Sequence, residues 1–99
     1  MSGEASGFAP PAFNADEALV GLKRQLRELR PLAERGSRFE LRGCVVIEIA
    51  ASGEQIDARL ARRPAANPEW AAHPLRSSLE VRRFVDTVRQ QLRRWLQDD

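Results

Sequence analysis

Six arginines near the carboxyl end are the residues of this chain best suited to chemistry, because guanidinium groups match phosphate oxygens bidentately. Only two acids interrupt them between residues 76 and 95. On a helix, three of them form one row and two form another, on either side of an apolar stripe. Such a surface could contact the backbone of a nucleic acid. The six are Arg76, Arg82, Arg83, Arg89, Arg93 and Arg94.

The same arginines also suit an ordinary solvated helix face. Arg82 and Asp86 stand four residues apart, the spacing of an ion pair on a helix. Arginine stems can also cover the rim of a core while their charged heads stay in water. Asp98 and Asp99 at the carboxyl end oppose the positive field. We therefore favour the solvated face and keep nucleic acid as the alternative partner.

The overall charge does not decide between these two interpretations. Sixteen basic residues, fifteen of them arginine, stand against fourteen acids, so the net charge is only +2. Proteins built to bind nucleic acid usually concentrate their charge more strongly. A high arginine content can also follow from a biased genome composition. The sequence leaves open whether the arginines are functional or compositional.

The chain has little material for catalysis. Cys44 is its one cysteine and His73 its one histidine, and it has no tyrosine. Neither residue stands in a catalytic signature, and together they are too few for a Cys/His zinc site. The glycines are too scattered for a phosphate-binding loop. The sequence therefore predicts a protein that is not an enzyme, with no cofactor, no metal and no small-molecule substrate.

Three residues are candidates for binding a protein partner. Trp70 lies in a proline-rich segment and could anchor a partner, since tryptophan is enriched at interface hot spots. It could equally close one end of the core, and we favour that interpretation. Cys44 and Val46 share the parity that faces away from the helices in the predicted strand. Together with Ala61 they would form a small apolar strip there.

Two strands occupy the middle of the chain. Residues 38–51 alternate, with Phe39, Ile47 and Ile49 on one parity, which predicts a strand with one buried face. Residues 54–62 alternate as well, and a turn at Ser52-Gly53 would join the two strands. In that register Ile49 pairs with Ile56, Ile47 pairs with Ala58, and Glu48 faces Asp57.

A helix flanks this hairpin on each side in sequence. The first begins after the capping residue Asn14 and runs to about Arg30, and the second begins after Ser77 and runs to the carboxyl end. Between the second strand and the second helix, residues 63–76 form a loop with a short edge strand near residues 69–72. The fold class is α+β, a two-layer α-β-β-(β)-α arrangement. Both helices pack on one face of a small antiparallel sheet built on the hairpin 38–51/54–62.

The chain is expected to be one domain, residues 14–99, preceded by a disordered tail, residues 1–13. No secretory signal or membrane span is visible, and the single cysteine suits a reducing, cytoplasmic location. A two-stranded sheet leaves an edge uncovered. We therefore predict a non-enzymatic module that binds a protein partner, or itself as a homodimer, through a sheet edge. Nucleic-acid binding through the arginines of the second helix is the alternative.

Overall fold

The computed structural model describes residues 13–97, which form two helices and five strands. The strands make one antiparallel sheet in the order β1-β2-β3-β4-β5, with the helices packed on one face. The α+β fold class is thus confirmed. The predicted tail lies outside the described residues apart from Phe13, which packs against the core. In chain order the elements are α1 (Ala15–Arg27), β1 (Ala33–Arg35), β2 (Arg38–Leu41), β3 (Cys44–Ser52), β4 (Gln55–Ala61), β5 (Trp70–Leu75) and α2 (Ser78–Gln97).

Both helices begin at the predicted caps. The side-chain oxygen of Asn14 accepts a hydrogen bond from the N–H of Glu17 at 3.0 Å. The hydroxyl of Ser77 accepts from the N–H of Glu80 at 3.1 Å. The Glu80 carboxylate in turn accepts from the N–H of Arg76 at 2.6 Å, one residue before the cap. These bonds satisfy backbone donors that a helix start leaves without partners.

Helix α1 ends at Arg27, three residues before the predicted end at Arg30. Pro31 has no N–H, and in a continuous helix its ring would clash with the carbonyl of Arg27. The chain instead closes a turn in which the N–H of Leu32 donates to the C=O of Leu29 at 3.0 Å. Leu32 becomes part of the buried core.

The predicted long strand is in fact two strands. Arg42 and Gly43 form a two-residue turn between β2 and β3, and both have positive φ angles, 55° and 85°. Positive φ at both central positions is the mark of a type I′ hairpin turn. The turn was missed because the apolar parity continues across it: Phe39 and Leu41 before it and Ile47 after it are all buried.

A β-bulge explains that continuity. Phe39 pairs with Ile47 and Glu40 pairs with Val45, so Val46 is an extra residue in β3. The turn shifts the side-chain alternation by one residue, and the bulge shifts it back. Between them the parity is reversed, and the expected outer strip is therefore wrong. Cys44 lies on the helix side, opposite Leu41, and Val46 is completely buried.

The β3–β4 hairpin has a different register from the predicted one. Its turn is Gly53-Glu54, because Gly53, with a φ of 63°, supplies the positive φ that a type II′ turn requires first. The register moves by two residues, so every buried residue keeps its face. Glu48 now pairs with Arg59 instead of meeting Asp57. The apolar pairs are Ile47–Leu60, Ile49–Ala58 and Ala51–Ile56.

The neighbours of this hairpin come from the chain itself. β2 pairs with β3 on one side, and β5 covers β4 on the other. β5 is the edge strand predicted near residues 69–72, extended to Leu75. The hairpin edges whose exposure suggested a homodimer are therefore paired within the chain. The remaining edges are β1, three residues long, and β5, which contains Pro74.

Candidate anion-binding cleft

A cleft of about 560 Å³ opens at one end of the domain. Three segments meet there: the β2–β3 turn, the loop after β4 and the last turns of α2. None of the described residues that line it is acidic. Four arginines line it together with apolar and polar groups: Arg42, Arg62, Arg63, Arg94, Leu41, Cys44, Pro64, Gln91 and Trp95. We call this site the arginine cleft.

Local structure fixes the position of these arginines. Arg42 occupies the first central position of the type I′ turn, where asparagine or glycine is usual. A left-handed conformation at a non-glycine residue is uncommon and is often found at functional sites. Arg62 follows β4 directly, and its N–H donates to the C=O of Glu69 at 2.8 Å. Arg94 stands on α2 beside Trp95, which anchors that turn in the core.

Three of the four cleft arginines carry positive charge that no described carboxylate neutralises. Among residues 13–97, no carboxylate lies within ion-pair distance of Arg62, Arg63 or Arg94. Several arginines elsewhere are neutralised, and Arg27 contacts Glu34 at 2.7 Å. The hydrogen bond from that guanidinium lowers the pKa of the Glu34 carboxyl. Guanidinium groups gathered without carboxylates favour an anion between them.

Only one of the six predicted arginines lies in the arginine cleft. Arg82 lines a groove beside α1, whereas Arg83 lies on the other side of α2, next to β5. Arg89 pairs with Asp86 at 3.3 Å. Arg94 stands about 18 Å along the helix from Arg82, at 1.5 Å per residue.

The other two predicted arginines do not complete a surface with Arg94. The Nε of Arg76 donates to the side-chain oxygen of Gln55 at 2.9 Å, at the opposite end of α2. Arg93 is exposed next to Arg94 but does not line the cleft. The arginines of the predicted helix face therefore lie in several different environments.

Sequence reasoning missed three of the four cleft arginines. Arg62 and Arg63 stand together directly after an apolar strand, and Arg42 precedes a glycine. Both patterns are visible in the sequence. Their meeting with Arg94 depends on how the sheet and α2 pack, which no local pattern reveals.

Cys44 and His73 do not form a catalytic pair among the described residues. Cys44, a half-buried free thiol, lines the arginine cleft. His73 lies in β5 opposite Ala58, and its ring centroid is 5.4 Å from that of Phe84. Glu80 and Arg83 line the same shallow depression as His73. No group of three potential metal ligands occurs within residues 13–97.

Burial lowers the pKa of His73, so its imidazole should titrate below the ordinary value of 6.5. The unfolded chain then binds the proton more readily than the folded chain. Stability should therefore fall as the pH drops through 6.5 and level off below the folded pKa. Because His73 is the only histidine, its proton NMR signal can be followed without assignment. The same chain unfolded in urea is the control, and an equal or higher pKa in the folded chain would contradict this prediction.

Trp70 lies on the outer face of the sheet, away from the helices. It pairs with Ala61, whereas the neighbouring Leu60 faces the core. Trp70 nevertheless packs against the core cluster, which agrees with the favoured interpretation of a residue that closes one end of the core, although it does so from the outer face. Trp70 is half-buried, and the guanidinium carbon of Arg59 lies 4.7 Å from the centroid of its ring. Arg59 is also paired with Glu48, which contacts Arg38 at 3.5 Å.

Comparison of the chain with protein-family models, with curated proteins and with solved structures gives no match. Within residues 13–97, neither helix has the length and apolar character that crossing a membrane requires.

Proposed function

We propose that this chain is a non-enzymatic nucleic-acid-binding module whose arginine cleft holds phosphate groups. The observation that carries the proposal is that Arg62, Arg63 and Arg94 meet in one cleft from two separate segments, with no acid among its described lining residues. Arginine is the side chain that recognises phosphate bidentately. Phosphate contacts supply most of the affinity in sequence-independent nucleic-acid binding.

The size and surroundings of the arginine cleft support this function. Its volume falls within the usual range of small-molecule binding sites. Leu41 and Trp95 form an apolar floor, which strengthens charge interactions by excluding water. A polyanion would also reach Arg93, beside the cleft, whereas a single small anion would not.

The test is the salt dependence of binding. A fluorescently labelled oligonucleotide of about twelve nucleotides is titrated with the chain at about 50 and 200 mM salt. With three or four phosphates held, the affinity should fall by roughly 20- to 50-fold between these conditions, from a slope of about −0.7 per phosphate. Binding that does not change with salt, or no binding at 50 mM salt, would contradict the proposal.

The second candidate function is protein binding or self-association, in which a partner strand adds to the edge strand β5. The hydrogen bond from the Arg62 N–H to the Glu69 C=O sets the alternation in the β4–β5 pair. The backbone groups of Trp70 and Ala72 consequently point to the free edge, where a partner strand could bind them. Pro74 offers no N–H there. A sedimentation mass that rises with protein concentration, without nucleic acid, would favour this candidate.

A further inference from the structure

We infer that the nucleic acid held by the arginine cleft is single-stranded, and that one of its bases stacks on the paired side chains of Trp70 and Arg59. This inference rests on the proposed function. It adds the class of nucleic acid and a second contact, on the other face of the sheet.

Trp70 lies at the same end of the sheet as the arginine cleft. Trp70 pairs with Ala61. Arg62, the residue that follows Ala61, lines the cleft. Successive residues of a strand advance about 3.3 Å. The cleft and the Trp70 ring therefore lie on opposite faces of the same end of the sheet. A flexible single strand can pass around this end from one to the other.

On the outer face of the sheet, Trp70 belongs to a group of side chains that hold one another in place. The Arg59 guanidinium lies over the Trp70 ring, and Glu48 is paired with the same guanidinium. Glu48 is itself held by Arg38. Bases stack on aromatic rings and on guanidinium planes in single-strand recognition, and an arginine adds a cation–π contribution. The Trp70–Arg59 pair presents both kinds of surface in a fixed arrangement.

A duplex cannot use the stacking contact at Trp70. In a double helix the bases are stacked on one another and paired, so no base face is available to Trp70. Opening a pair costs free energy that a single strand does not spend. The arrangement of one phosphate site and one stacking site around the end of a sheet therefore favours an unpaired strand.

The experiment compares Trp70→Leu with Trp70→Phe, using an oligothymidine of about twelve nucleotides and a duplex of equal length. The leucine keeps apolar bulk without a π face, and the phenylalanine keeps the π face. We expect Trp70→Leu to weaken single-strand binding by about 5- to 100-fold. Trp70→Phe should stay within about 3-fold of the original chain. The salt slope should not change in either variant, because stacking releases no counterions.

The outcomes separate this inference from the proposed function. Preference for the single strand, lost in Trp70→Leu and retained in Trp70→Phe, supports both. Equal binding of duplex and single strand, or a leucine variant that binds as tightly as the original chain, overturns the stacking inference and leaves the arginine cleft standing. Failure of the original chain to bind either oligonucleotide overturns both. Circular dichroism of each variant checks that the fold is retained.

Discussion

The double charge reversal Arg62→Glu, Arg63→Glu is expected to lower the affinity for a short single-stranded oligonucleotide by at least about 100-fold at about 50 mM salt. Hydrogen bonds to charged groups contribute roughly 1.5–3 kcal/mol each, and the new carboxylates also repel phosphate. The salt slope should fall by about 1.4, the contribution of two lost phosphate contacts to a single strand. Both arginines are exposed, so the fold should be unaffected.

Arg82→Glu, Arg83→Glu is the matched control. These arginines are also consecutive and exposed, and their reversal changes the net charge by the same amount. They stand on the first turns of α2, whereas the arginine cleft is at its last turns. We expect less than a 5-fold loss of affinity, as remote charges in water are screened. Equal losses in the two double variants would contradict the cleft and indicate binding to the overall charge.

The second large effect concerns stability. Phe39→Ala is expected to lower the free energy of unfolding by about 3–5 kcal/mol, because it removes a large aromatic side chain with no exposed surface and leaves a cavity. Small domains have only about 5–15 kcal/mol of stability, so the variant should be near the limit of folding. Urea denaturation followed by circular dichroism measures the loss as a shift of the midpoint.

Phe13→Ala is the control for this change. Phe13 is only partly buried against the same core, at the point where the described chain begins. The same substitution there should cost less than half as much. Phe39 also lies in β2, opposite Ile47, so it reports on the pairing of the short strand. A cost below about 1 kcal/mol for Phe39→Ala would mean that β2 is not docked as described.

Much of the scaffold could be predicted because local chemistry determines it. The side chains of Asn14 and Ser77 satisfy backbone donors within one turn, so the helix starts follow from short spacings. Alternation placed Ile47, Ile49 and Ile56 on the core face, and all three are buried there. A register shift of two residues does not alter which face a side chain takes. The fold class therefore followed from the sequence although the pairing did not.

Pairing between strands determined the features of the fold that the sequence did not predict. The turn at Arg42-Gly43 and the bulge at Val46 each shift the side-chain alternation by one residue, and the two shifts cancel. In the sequence, the two paired strands β2 and β3 therefore look like one continuous strand. Only the pairing partners of β3 reveal that Cys44 faces the helices and Val46 is buried. The side of the sheet on which Trp70 lies depends in the same way on its pairing with Ala61.

The sequence by itself determined the α+β class, the helix starts and the buried faces, since these depend on residues within a few positions of one another. Only the tertiary structure brought Arg42, Arg62 and Arg63 to Arg94, from positions up to 52 residues apart. Each arginine looks like an ordinary surface charge in its own segment. Their shared site exists because the β2–β3 turn and the end of β4 both meet the last turns of α2, and that meeting is set by how the sheet packs under the helix.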